Sequence, residues 1–212
     1  MGTFDNVEGM WSPNGVHYLR RILIDCIALG YQVRVKILQS CDYGDPQKRP
    51  ILVVIVAKNF VPMPSHPVAT HGLDKLPYVT TKNVLEPLRN HILVKLGYPN
   101  MENPTSDEDF NEQEDTKLKP HTFSPAVPAG SNRIFHYDEN REINVRERAA
   151  LQSFPLGYEF LGTESKQKEQ IGKTVPIELS QAIARSVRTS LRYGYIEEIE
   201  SQLRVDENSN MS

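Results

Sequence analysis

Two thiols, six imidazoles and one short basic loop are the groups in this 212-residue sequence with the clearest chemical potential. Cys26 falls on an apolar stripe with Val16, Leu19, Leu23 and Ile27, so it reads as a core side chain rather than a nucleophile. Cys41 opens a polar loop, Cys41-Asp42-Tyr43-Gly44-Asp45-Pro46-Gln47-Lys48-Arg49-Pro50. Lys48 and Arg49 in that loop suit phosphate contacts and a solvated basic turn equally well. The histidines are scattered, and none has a second ligand at helical spacing, so no metal site is expected. Neither a P-loop nor a His-Glu-x-x-His pattern occurs. Two cysteines suit a reducing compartment and make no disulfide framework.

Periodicity outlines the elements that must hold these groups. Residues 16–29 repeat apolar side chains at three- and four-residue spacing, which predicts an amphipathic helix ended by Gly30. Val33, Val35 and Ile37 alternate with Gln32, Arg34 and Lys36, a half-exposed strand over 31–38. Residues 51–57 are apolar on both faces, as in the buried sheet of an α/β protein. That run is the longest of its kind and far too short to span a bilayer. Residues 59–133 carry ten of the fifteen prolines and weak periodicity, apart from a helical stretch near Val84 to Leu96. They read as a smaller loop-rich unit with an acidic insert over 102–115. Without the seven acids of that insert the chain would be mildly basic, which permits a nucleic-acid partner. Asn144 and Glu147 make a capping box, so a helix should start at Val145 and stop before Pro155. Pro176 opens a last helix striped by Leu179, Ala182, Ile183, Ser186, Val187 and Leu191. Residues 204–212 are polar and are expected to form a disordered tail.

Four segments, in order, resemble motifs of the DNA cytosine-5 methyltransferases. Asp5-Asn6-Val7 resembles Glu-Asn-Val, and Tyr43-Gly44-Asp45-Pro46-Gln47-Lys48-Arg49 resembles Tyr-Gly-x-Pro-Gln-x-Arg-x-Arg. The run from Arg146 to Pro155 is similar to Arg-Glu-x-Ala-Arg-Leu-Gln-x-Phe-Pro, and that from Gln170 to Pro176 to Gln-x-Gly-Asn-Ala/Ser-Val-Pro. The resemblance covers essentially the whole chain. It implies an α/β fold: the C-terminal half of a class I S-adenosylmethionine-dependent methyltransferase sheet, Rossmann-like, with a small target-recognition insert. Residues 1–58 and 134–203 would belong to the methyltransferase domain and 59–133 to the insert.

The family flips cytosine out of the duplex, adds a cysteine thiolate to C6 and methylates C5 from S-adenosylmethionine. A carboxylic acid at N3 and an arginine at O2 stabilise the developing charge. The resemblance places Asp5 at the position of that acid, one methylene short of the usual Glu. It places Arg49 at the first arginine of its motif and Ile51, which has no donor, at the second. Lys173 stands where the family has Asn, near the cofactor's carboxylate, followed by Thr174; a helix-capping role for this segment is equally open. Arg146, Glu147 and Gln152 are assigned to structure, with a buried Arg–Glu pair fixing the junction between lobes. Thr70-His71-Gly72 also resembles a family segment but reads first as a turn.

The family's nucleophile follows a proline, and neither cysteine here does. A glycine-rich cofactor loop and an acid to hold the ribose are missing too. The chain is therefore expected to be inactive alone. Three readings stay open: a fragment, a subunit of a split methyltransferase paired with a complementary polypeptide, or a non-catalytic DNA-binding remnant. DNA is the implied partner, no membrane is, and the expected location is the nucleus in a eukaryote and the cytoplasm otherwise.

Overall fold

The computed structural model describes residues 1–89, 116–130 and 132–209. In chain order the elements are β1 (Gly2–Val7), α1 (Val16–Ala28), β2 (Tyr31–Gln39), β3 (Gln47–Lys48), β4 (Pro50–Lys58), α2 (Thr81–Leu85), β5 (Thr116–Lys117), β6 (Ser124–Pro125), β7 (Ile134–Phe135), α3 (Val145–Ala150), α4 (Glu164–Lys173) and α5 (Ile177–Ser209). The acidic insert and most of the helix expected near Val84 to Leu96 lie outside the described residues; within them α2 is followed by a 3-10 turn, Glu86–Arg89. Contacts divide the chain into two compact units. The first holds Met1–Leu38, Pro50–Val68 and the residues from Gln181, and the second holds Gln39–Arg49 and Ala69–Ser180. The loop after β2 and the segment from 134 to Ser180 fall in the same unit as the described proline-rich residues from Ala69 on.

In the first unit β4 is the central strand of a three-stranded sheet ordered β1-β4-β2. It runs antiparallel to β1, with Asp5 opposite Val53 and Val7 opposite Ile51. Its seven-residue apolar run has the burial that its sequence predicts, from Ile51 to Ile55 and at Ala57. Leu19 and Leu23 of α1 pack on Leu52, Val54, Val35 and Ile37. Gly30 ends α1 at φ 80, a conformation that costs glycine little. The helix is less buried than its stripe predicts: Leu19 is buried, Cys26 only half-buried, and Val16 and Ile27 exposed. Cys26 is thus not the core residue that its pattern suggested. An apolar stripe records which side can be buried, not whether a partner covers it.

The second unit is built on Leu85, Leu118, Val127, Ile134, Ile143, Ala149, Leu151, Phe160 and Ile171. Two parallel two-residue pairings, β3 with β6 and β5 with β7, tie its loops. The helix α3 starts at the predicted capping box: Asn144 accepts from the Glu147 amide at 2.8 Å, and Glu147 accepts from the Asn144 amide at 2.9 Å. The helix α4 is absent from the sequence reading because only Ile171 and Gly172 of it are buried, which leaves no apolar stripe. The last helix is also longer than expected, its backbone continuing to Ser209 through part of the predicted tail.

Candidate functional site

Gln47, together with Gln152, joins three of the motif segments inside the second unit. Its Nε2 donates to Leu151 O at 2.9 Å and to Gln152 Oε1 at 2.7 Å, and its Oε1 accepts from the Val127 amide at 3.1 Å. Gln152 Nε2 donates to Ile171 O at 2.8 Å. Both glutamines are fully buried, so each amide group needs these partners to offset its lost hydration. Arg49 belongs to the same clamp. Its guanidinium donates to Gly172 O at 2.9 Å and to Val127 O at 3.4 Å. The side chain that sequence offered for DNA contact therefore braces two carbonyls. Lys48 beside it is exposed and has no ion pair among the described residues.

Gly172 explains why its motif keeps a glycine. A Cβ there would meet Pro128 O and Ala129 Cα at 2.3 Å, and backbone atoms cannot step aside cheaply. Lys173 follows on the surface, its ammonium on Glu169. Thr174 Oγ1 donates to Gln170 O at 2.8 Å and closes the end of α4. Capping, one of the two roles left open for this segment, is thus performed by Thr174.

The buried Arg–Glu pair exists with a different arginine. Glu147 is bound by both Nη atoms of Arg141 at 2.8 Å. Arg146 instead donates to the carbonyls of Pro155 and Tyr158 and lies 5.6 Å from the Phe160 ring centroid. Adjacent helix positions point about 100° apart, so Arg146 and Glu147 diverge.

Asp45 is a residue that sequence reasoning passed over. It is fully buried, accepts from Ser153 Oγ at 2.6 Å, and accepts from the Leu179 amide at 3.2 Å. It thereby caps the start of α5 from 134 residues away. Burial pushes its carboxyl up to about 6 against the lowering effect of these bonds. Nothing local marks it, because its partners are distant in sequence.

A cavity of about 490 Å³ in this unit is lined by Tyr43, Gly44, His71, Arg146, Phe154 and Glu178 among others. Thr70-His71-Gly72 forms the expected turn, with the Thr70 and His71 amides donating to Asp42 O at 2.9 and 3.0 Å. The adjacent Cys41 is no poised nucleophile: burial, then the charge of Asp42, pushes its thiol up to about 11. Asp5 lies in the other unit, exposed on β1. Ile51, where the resemblance wants an arginine, is buried. Among the described residues no group of histidine, cysteine and carboxylate side chains could hold a metal ion, and no helix is long and apolar enough to cross a membrane.

Comparison with known proteins points to one family. The family model for C-5 cytosine-specific DNA methylase matches residues 3–118 and 80–189. The chain is 31% identical over 204 residues to the type II methyltransferase M1.HphI of Haemophilus parahaemolyticus, covering 86% of this chain and 55% of that protein. It is 28% identical over 210 residues to M.BspRI of Lysinibacillus sphaericus, covering 86% and 49%. The chain thus spans about half the length of these relatives. In fold it resembles the S. pombe Dnmt2 methyltransferase, with a TM-score of 0.60 at 16% identity over 87% of this chain and 63% of that one. It also resembles a DNA modification methyltransferase encoded within an E. coli prophage, with a TM-score of 0.65 at 18% identity over 90% and 69%. These structures are class I methyltransferases, and they place the chain in that fold class.

Proposed function

Because the chain belongs to the C-5 cytosine-specific DNA methylase family, we propose that it serves the transfer of a methyl group from S-adenosylmethionine to C5 of cytosine in DNA, together with a complementary polypeptide that carries the nucleophile. One observation carries the need for a second polypeptide. The strand β1 forms the edge of its sheet and ends in the exposed Val7, and the segments that follow it expose Trp11, Val16, Ile24 and Ile27. A bare strand edge beside apolar side chains is a docking surface and, left open, an aggregation hazard.

The residues present fit one end of the cofactor. Lys173 offers an exposed ammonium of the right sign for the carboxylate of S-adenosylmethionine, exchanging Glu169 for it. When bound, that cofactor supplies the methyl group. Lys48 contacts a DNA phosphate, and Asp5 supplies the acid at cytosine N3.

The test mixes the purified chain with a polypeptide from the same genome bearing a Pro-Cys dipeptide and a glycine-rich loop, and follows labelled methyl transfer into duplex DNA. Incorporation should require both polypeptides. Asp5→Glu, which restores the family's reach, should raise the rate by up to about 100-fold. Transfer by the chain alone, or none from a complex that demonstrably forms, refutes the proposal.

A further inference from the structure

The outward face of β2 carries Arg34 and Lys36, both exposed. Lys36 makes no hydrogen bond or ion pair among the described residues, and the Arg34 guanidinium donates to Ser65 Oγ at the long distance of 3.3 Å. Ser65 is also held from α5, through the Ser186 hydroxyl donating to its carbonyl. This fixes the next residue, His66. Both ring nitrogens of His66 are buried and have no hydrogen-bond partner. A neutral imidazole has one donor and one acceptor, so two unpaired buried nitrogens are costly and call for an explanation. Burial, then the charges of Lys36 and Arg34, hold the His66 pKa below its ordinary value, and no carboxylate is among the charges that act on it.

We propose that Arg34, Lys36 and His66 form an anion site in the first unit that takes a phosphate group. An anion would offset the two cations, accept from a ring N–H of His66 and favour the imidazolium form. A phosphate matches three donors on three separate side chains: its oxygens diverge tetrahedrally, whereas the two of a carboxylate share one plane. The group could belong to a nucleic-acid backbone or to a free phosphate. The site does not depend on the methyltransferase reading, because it is built from the first unit's own surface.

Histidine side-chain NMR of the full chain tests it, with His66→Gln identifying the signal. Inorganic phosphate is added at constant ionic strength in chloride. The His66 resonance should shift saturably and its titration midpoint should rise by about 1 pH unit, as expected for a nearby opposite charge. Arg34→Ala/Lys36→Ala should abolish the response. A shift that never saturates, or that chloride reproduces, overturns the site whether or not the variant folds. A short DNA duplex separates the sources. If it moves the same resonance, and the double variant lowers the slope of log K against log salt by about one to two, the phosphate is that of the backbone. If phosphate saturates the site and the duplex leaves His66 unmoved, the ligand is a free phosphate.

Discussion

Ser153 Oγ donates to Asp45 Oδ1 at 2.6 Å, joining residues 108 apart in sequence. Ser153 sits at φ 60, a backbone conformation unfavourable for a residue with a Cβ. The other oxygen of Asp45 accepts from the Leu179 amide. One buried carboxylate thus holds a strained turn at the end of one motif and the start of α5 after another. Both residues occupy the unspecified positions of the motifs they belong to.

Asp45 should give the chain a pH-dependent stability of recognisable sign. Its carboxyl stands at about 6 in the fold against an ordinary 3.8, so the folded state holds the proton more tightly. Its stabilising contribution is complete below about pH 4 and is lost as the pH rises to about 6. Urea unfolding across this window should show a loss on the order of 2–3 kcal/mol with rising pH from this group. Asp45→Asn should remove that component. An unchanged pH profile in the variant would assign the effect to other groups.

The two buried glutamines should behave as a coupled pair. Gln47→Leu and Gln152→Leu should each cost about 1–3 kcal/mol, since each strands buried donors or carbonyls. A double-mutant cycle by urea denaturation should give a coupling energy of about 0.5–3 kcal/mol. Strict additivity would mean that the 2.7 Å contact between them contributes nothing of its own.

Two glycines in the same unit should differ sharply in their response to a methyl group. Gly172→Ala forces a Cβ to 2.3 Å from Pro128 O, whereas a Cβ at Gly130 meets nothing within 4 Å. The first variant should lose about 3 kcal/mol or more, and the second should stay within about 0.5 kcal/mol of the parent. Equal melting temperatures for the two would refute the close approach at Gly172.

Neighbouring cations should separate DNA binding from stability. Lys48→Ala should lower the salt slope of duplex binding by about one with no change in unfolding free energy. Arg49→Ala should instead destabilise the chain by about 1–3 kcal/mol, because Gly172 O and Val127 O lose their donor. A Lys48 variant that binds duplex as the parent does, at every salt concentration, would remove that residue from the interface.

Family, fold class and the main helices and strands were legible in the sequence because they are written locally. Alternation marks β2, the apolar run marks β4, the capping box marks the start of α3, and motif order marks the family. None of these needs a distant partner. The use of each polar side chain was decided only by tertiary structure. Arg49 and Lys48 are adjacent and alike in charge, yet one is committed to carbonyls at 127 and 172 while the other is solvent-exposed. Glu147 takes Arg141 rather than its neighbour Arg146, and Asp45 takes Ser153 and the first turn of α5. Which partner a buried charge or amide finds depends on chain segments that meet only in three dimensions, and a one-dimensional pattern carries no record of that meeting.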